Sequence, residues 1–132
     1  MTEATMSNTQ IEAKSMSIQR MMLSLEGLTV FISSIAAYGF IGGNWWLFAL
    51  LLLSPDLVFI IYAMNKVAGT HAYNVVHSYS LPVALGILSL IGGWQLGLTL
   101  AIIWFAHIGM DRTIGYGLKY VSDFKDTHLQ RV

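Results

Sequence analysis

Apolar residues run almost unbroken through four stretches, about Met21–Ile41, Trp45–Met64, Ala72–Ile91 and Trp94–Met110, with polar residues gathered between and around them. A bilayer core is crossed by about 20 helical residues, so each stretch is read as a transmembrane helix. The fourth is the shortest and reaches the interface by snorkelling of Arg112. Gly42-Gly43-Asn44 joins the first two stretches and Gly92-Gly93 the last two. Connections that short force antiparallel neighbours. The predicted fold is therefore all-α: a polytopic membrane protein of four transmembrane helices in two antiparallel hairpins. A shift of 50 residues superposes the two Gly-Gly turns, the pattern of a parallel internal repeat. Gly27, Gly39, Gly86 and Gly97 are expected where helices approach closely.

Composition agrees. With 132 residues, 55% hydrophobic and 11% charged, the chain is too apolar for an ordinary soluble domain, and four spans leave no room for a second one. The expected parts are a polar N-terminal segment 1–20, a four-helix membrane domain 21–111 and an interfacial tail 112–132. The first 20 residues lack the short apolar stretch and cleavage site of a secretory signal, so the first span is expected to be retained. All seven cations, Lys14, Arg20, Lys66, Arg112, Lys119, Lys125 and Arg131, fall on one side of this topology, and the two glycine turns carry no charge. Positive charge stays on the cytoplasmic face, so both termini are placed inside, with Trp45, Trp46 and Trp94 at the outer boundary. The absence of cysteine excludes disulfides and thiolate metal sites, and zero net charge gives no argument for nucleic acid.

The topology makes depth readable. Ionisable residues within spans are costly, and they pair, face the interior or serve a site. Glu26 lies 16 residues before Gly42, Asp56 13 after Gly43, His77 15 before Gly92 and His107 14 after Gly93. At the helical rise all four lie about 20–24 Å from the outer turns, in one layer near the cytoplasmic end. Asp111 follows His107 by four residues, on the same helical face. Carboxylates and imidazoles crossing between helices form divalent-metal sites. Without thiolates the set suits Zn first, with Mn and Fe compatible. A layer of hydrogen bonds that fixes helix packing is the alternative. Pro55 and Pro82 each withhold a helical N–H and loosen the backbone near Asp56 and Ser78.

Leu25-Glu26-Gly27-Leu28, Trp45-Trp46, Pro55-Asp56-Leu57, Ala72-Tyr73-Asn74, Ala106-His107-Ile108-Gly109 and the block Gly115-Tyr116-Gly117-Leu118-Lys119-Tyr120 resemble a bacterial domain-of-unknown-function family of small integral membrane proteins. That resemblance implies the bacterial inner membrane. Pro55-Asp56, His77-Ser78 and His107-x-x-x-Asp111 look more remotely like bacterial membrane-bound metal-dependent hydrolases. The likeness implies that Asp56, His77, His107 and Asp111 are metal ligands. It departs where Asn74-Val75-Val76 replaces an Arg-Gly pair and where Glu26 stands in for a missing upstream histidine.

The expected function is metal-dependent hydrolysis at the cytoplasmic leaflet, on a phosphoester or lipid headgroup. Glu26, Asp56, His77, His107 and Asp111 hold the metal in this reading. Arg112, Lys119 and Asn74 bind the anionic substrate, and His128 or Asp126 of the tail supplies a proton. A proton or small-ion transporter, which would need a larger oligomer, and an accessory membrane subunit are the alternative functions. The lipid bilayer is the expected partner, and a homo-oligomer is compatible with the sequence.

Overall fold

A computed structural model describes residues 17–132, so most of the polar segment 1–20, with Lys14, lies outside the described residues. Helix α1 spans Ile18–Phe40 and starts where the Ser17 hydroxyl accepts the Arg20 N–H at 3.1 Å. Helix α2, Trp45–Leu51, is capped by the Asn44 carboxamide, which accepts from Trp46 and Leu47. A 3-10 turn, Ser54–Val58, then leads into α3, Phe59–Met64. Helix α4, Lys66–Val76, is followed by α5, Ser80–Gly92, and α6, Gln95–Ile114. Gly42 and Gly93 both hold positive φ, the conformation that makes the two glycine turns tight.

Two segments, Ile18–Phe40 and Trp45–Met64, are long and apolar enough to cross a membrane. Lys66–Val76 and Ser80–Gly92, bent by 42° at their junction, make a third if taken as one broken span. Helix α6 is long enough but carries His107, Asp111 and Arg112, and it is richer in buried residues than its neighbours. The third stretch begins at Lys66 and not, as its hydropathy implies, at Ala72. Asn65 caps the new helix through Ala68 N–H, and Gly69 lets it lie on α3, where a Cβ would come 2.1 Å from Tyr62 Cα. The mixed segment Lys66–His71 is helical outside any apolar run, which hydropathy cannot report.

Helices α1 and α6 pack antiparallel at backbone contact. A Cβ on Gly27 would lie 2.3 Å from Arg112 Cβ, and one on Gly109 would lie 2.7 Å from Phe31 N and 2.8 Å from Gly27 O. Gly109→Ala is expected to cost about 1–3 kcal/mol, because backbone stands on the far side and cannot move aside as a side chain would. Thermal unfolding in detergent reads this, and an unchanged midpoint would contradict the packing. Above this crossing, Tyr38, Phe48, Ile103 and Ala106 form an apolar core, and Tyr38 OH donates to Asn44 O at 2.7 Å. Phe40, Trp46, Leu50 and Ile91 stand outward and exposed, as lipid-facing residues do.

The helical interruptions fall in the second and third stretches, while α1 and α6 run continuously. The repeat implied by the glycine turns therefore does not extend to the backbone. After Gly115, at φ 100°, residues 116–132 fold back onto the bundle and end in α7, His128–Arg131. Lys119 and Thr127 pair as an antiparallel bridge, and Lys66 Nζ donates to Ser122 O at 3.0 Å. Arg20 lies beside Gly115, so the fold-back gathers Arg20, Lys66, Arg112, Lys119 and Arg131 at one end of the bundle.

Candidate metal centre

Both interruptions leave backbone carbonyls without helical donors, and α6 supplies replacements. In the 3-10 turn the Asp56 N–H goes to Leu53 O, and Leu52 O instead accepts from His107 Nδ1 at 2.7 Å. Where α4 gives way to α5, Val76 O accepts from Trp104 Nε1 at 2.7 Å and His77 O from Arg112 Nη2 at 3.2 Å. An unpaired buried carbonyl costs roughly 1–3 kcal/mol, so these three α6 side chains are what make the broken helices tenable. The breaks in turn aim Asp56 and His77 inward.

These bonds also fix the protons on the two imidazoles. His77 Nδ1 lies 3.0 Å from Tyr73 O and His107 Nδ1 lies 2.7 Å from Leu52 O. A carbonyl oxygen only accepts, so each Nδ1 carries a hydrogen, and each ring, when neutral, presents the Nε2 lone pair. The two Nε2 atoms stand 3.0 Å apart. Asp56 Oδ1 is 3.2 Å from His77 Nε2 and 3.3 Å from His107 Nε2; Asp111 Oδ2 is 3.5 and 3.3 Å from the same atoms. All four donor atoms lie within 4.8 Å of one another, so the group has the size of a metal site.

Four ligand atoms set tetrahedrally about 2.0–2.1 Å from a zinc ion are separated by about 3.3–3.4 Å along each edge. Five of the six edges run from 3.0 to 3.5 Å, and all six lie within 4.8 Å. A single proton on one Nε2 would satisfy one histidine–carboxylate bond and leave the other lone pair facing it. One divalent cation at the centre satisfies all four donors. The Nδ1–carbonyl bonds are the outer-shell contacts that orient metal-ligating histidines. The Tyr73 ring stacks on His77 with centroids 3.7 Å apart and holds the imidazole plane.

Access is one-sided. The histidines are buried and Asp111 is nearly so, whereas the Asp56 side chain is 33% exposed. A cavity of about 280 Å³ opens against Asp56 and Asp111 and is lined by Tyr73, Tyr116, Lys119 and Phe124. Lys119 is 4% exposed, with Nζ 3.7 Å from the Phe124 ring centroid and 4.7 Å from that of Tyr73, and it donates to Phe124 O. Burial pushes the Lys119 ammonium below its ordinary pKa, against the opposing pull of Asp111 and Asp56.

The remaining expected site residues are placed elsewhere. Glu26, counted at the same depth, is not among the four converging residues; it lines a second cavity with Tyr79, Arg112 and His128. The Asn74 carboxamide is committed to the tail, donating to Lys119 O at 2.9 Å and accepting from Lys119 N–H at 2.6 Å. Arg112 supports the His77 carbonyl. Asp126 pairs with Arg131 at 2.6 Å and accepts from Ser122, which holds its carboxyl at about 2 and keeps it within the tail's own fold. His128 Nδ1 accepts from Leu118 N–H at 2.8 Å.

Burial, with the nearby Arg112 charge, lowers the His128 pKa, so His128 is neutral at pH 7 and keeps that acceptor. Because the folded value lies below the unfolded one near 6.5, its contribution is full above pH 6.5 and is lost as pH falls through the folded value. Amide exchange at Leu118 is expected to rise, after correction for intrinsic rates, as pH falls below 6.5 and through the folded His128 value. A flat corrected rate would show that His128 does not hold the tail.

Residues 20–132 match the family described as a domain of unknown function (DUF4260), and the chain belongs to that family. No curated protein and no solved structure matches it.

Proposed function

We propose that this DUF4260 protein is a metal-dependent membrane hydrolase whose site lies at the cytoplasmic headgroup level. In this reading all four apolar stretches span the bilayer, α6 is the fourth span, and both termini are cytoplasmic. The observation that carries the proposal is the convergence of Asp56, His77, His107 and Asp111, with both Nδ1 atoms already bound to carbonyls, beside a cavity walled by Lys119. Zinc suits two imidazoles and two carboxylates best, and Mn or Fe accept the same donors. A divalent metal held by these four residues would supply Lewis acidity and a water of lowered pKa.

The chain's own residues supply the rest. Asp56 stands at the exposed side of the four residues that would hold the metal, next to the cavity from which a substrate would approach. Lys119, which lines the same cavity, would neutralise the phosphate of a phosphoester or lipid headgroup and serve as proton donor in place of Asp126 and His128. The apolar core of Tyr38, Phe48, Ile103 and Ala106 on the outer side favours a site served from the tail end over a path across the membrane. The test is phosphodiester hydrolysis by purified zinc-loaded protein, followed by phosphorus NMR on mixed phospholipid micelles. Metal-dependent turnover that Lys119→Met suppresses is the expected result. Full metal occupancy without turnover on any phosphoester would remove the hydrolase reading.

A further inference from the structure

The Glu26 cavity, of about 300 Å³, shares no lining residue with the one at Asp56 and Asp111. Glu26 and Arg112 both border it, yet among the described residues no ion pair within 4.0 Å joins them. Opposite charges thus face one space without touching. His128 adds a donor, because Nδ1 accepts from Leu118 and the neutral ring's hydrogen therefore sits on Nε2. The cavity also meets a groove. Val30 lines both it and a second space of about 310 Å³ along α1 and α6, bordered by Thr29, Ala37, Ile102 and Phe105. Thr29 and Ser34 turn their hydroxyls back onto Leu25 O and Val30 O, leaving a largely apolar wall. Tyr79 of the lower space stacks on Phe105 of the upper, centroids 5.8 Å apart, and makes the wall continuous.

We infer that this cleft binds one membrane phospholipid whose phosphodiester headgroup ends in a primary ammonium. The phosphate lies against Arg112 and His128, and the ammonium meets Glu26. The acyl chain follows α1 from Val30 to Ala37. An anionic headgroup would leave Glu26 facing negative charge, and a quaternary amine has no N–H for the carboxylate. The inference goes beyond hydrolysis and rests only on the membrane placement in that reading, since none of the four Asp and His residues borders the cleft.

The experiment is native mass spectrometry of full-length protein extracted from vesicles of equal phosphatidylethanolamine, phosphatidylcholine and phosphatidylglycerol, with bound metal read from the same samples. Wild type is expected to retain one phosphatidylethanolamine. Glu26→Gln changes an exposed side chain with no hydrogen bond among the described residues, so it tests recognition without threatening the fold. It should lower the preference over phosphatidylglycerol about tenfold, the lower bound for losing a hydrogen bond to a charged group. Val30→Phe, which fills the junction of the two spaces, should reduce retention of all three lipids. Equal retention by wild type, or an unchanged preference in Glu26→Gln, overturns the inference. Loss of metal with lipid selection intact would bear only on the hydrolase reading.

Discussion

His107→Ala is expected to abolish stoichiometric metal binding and to destabilise the bundle at once. His107 is a donor to the four-atom group through Nε2 and the only α6 partner of the Leu52 carbonyl through Nδ1 among the described residues. Loss of an outer-shell hydrogen bond alone typically lowers metal affinity about 10–100-fold, so loss of a direct ligand should exceed that range. The stranded carbonyl adds about 1–3 kcal/mol of destabilisation. Titration with zinc and a competing chelator, together with thermal unfolding, separates the two effects. A variant of unchanged affinity would show that the imidazole packs helices and does not ligate.

Asn74→Leu is expected to act on the tail and spare the metal. The carboxamide joins α4 to both backbone groups of Lys119, and each group left unpaired costs about 1–3 kcal/mol. Residues 116–132 should then become protease-sensitive, and Lys119 should leave the cavity. All four candidate ligands precede residue 112, so metal content should hold at the wild-type level. Turnover, where wild type has it, should fall with Lys119 displaced. Proteolysis and metal analysis of one preparation check both halves. A variant that loses metal while its tail stays protected would contradict this division.

Depth was legible in the sequence because the helical rise is constant: counting from the glycine turns placed Asp56, His77 and His107 in one layer, and the four-residue step added Asp111. Azimuth was not legible. Glu26 has the same depth, but its neighbour Gly27 is the residue that packs on Arg112, and the carboxylate turns to a different cavity. Pro55 and Pro82 marked the loosened segments. Nothing local indicated that Trp104, His107 and Arg112 would take up the carbonyls released there. Trp104 stands one turn before His107 and could have been read as part of the same face. The Lys119 cage and the Asn74 clamp depend on a fold-back that pairs residues 45 apart, which no helical period encodes.

Asp56, His77, His107 and Asp111 form a group that could hold one cation. Bond donation to Leu52 O and Tyr73 O leaves two imidazole lone pairs and two carboxylates converging within 4.8 Å, an arrangement that one divalent ion resolves. The most direct test is zinc X-ray absorption on wild-type protein purified without added chelator. The expected result is about one zinc per chain in a four-coordinate nitrogen and oxygen shell near 2.0 Å, with imidazole scattering beyond it. Folded protein with negligible metal, or a zinc shell of oxygens alone, would contradict it.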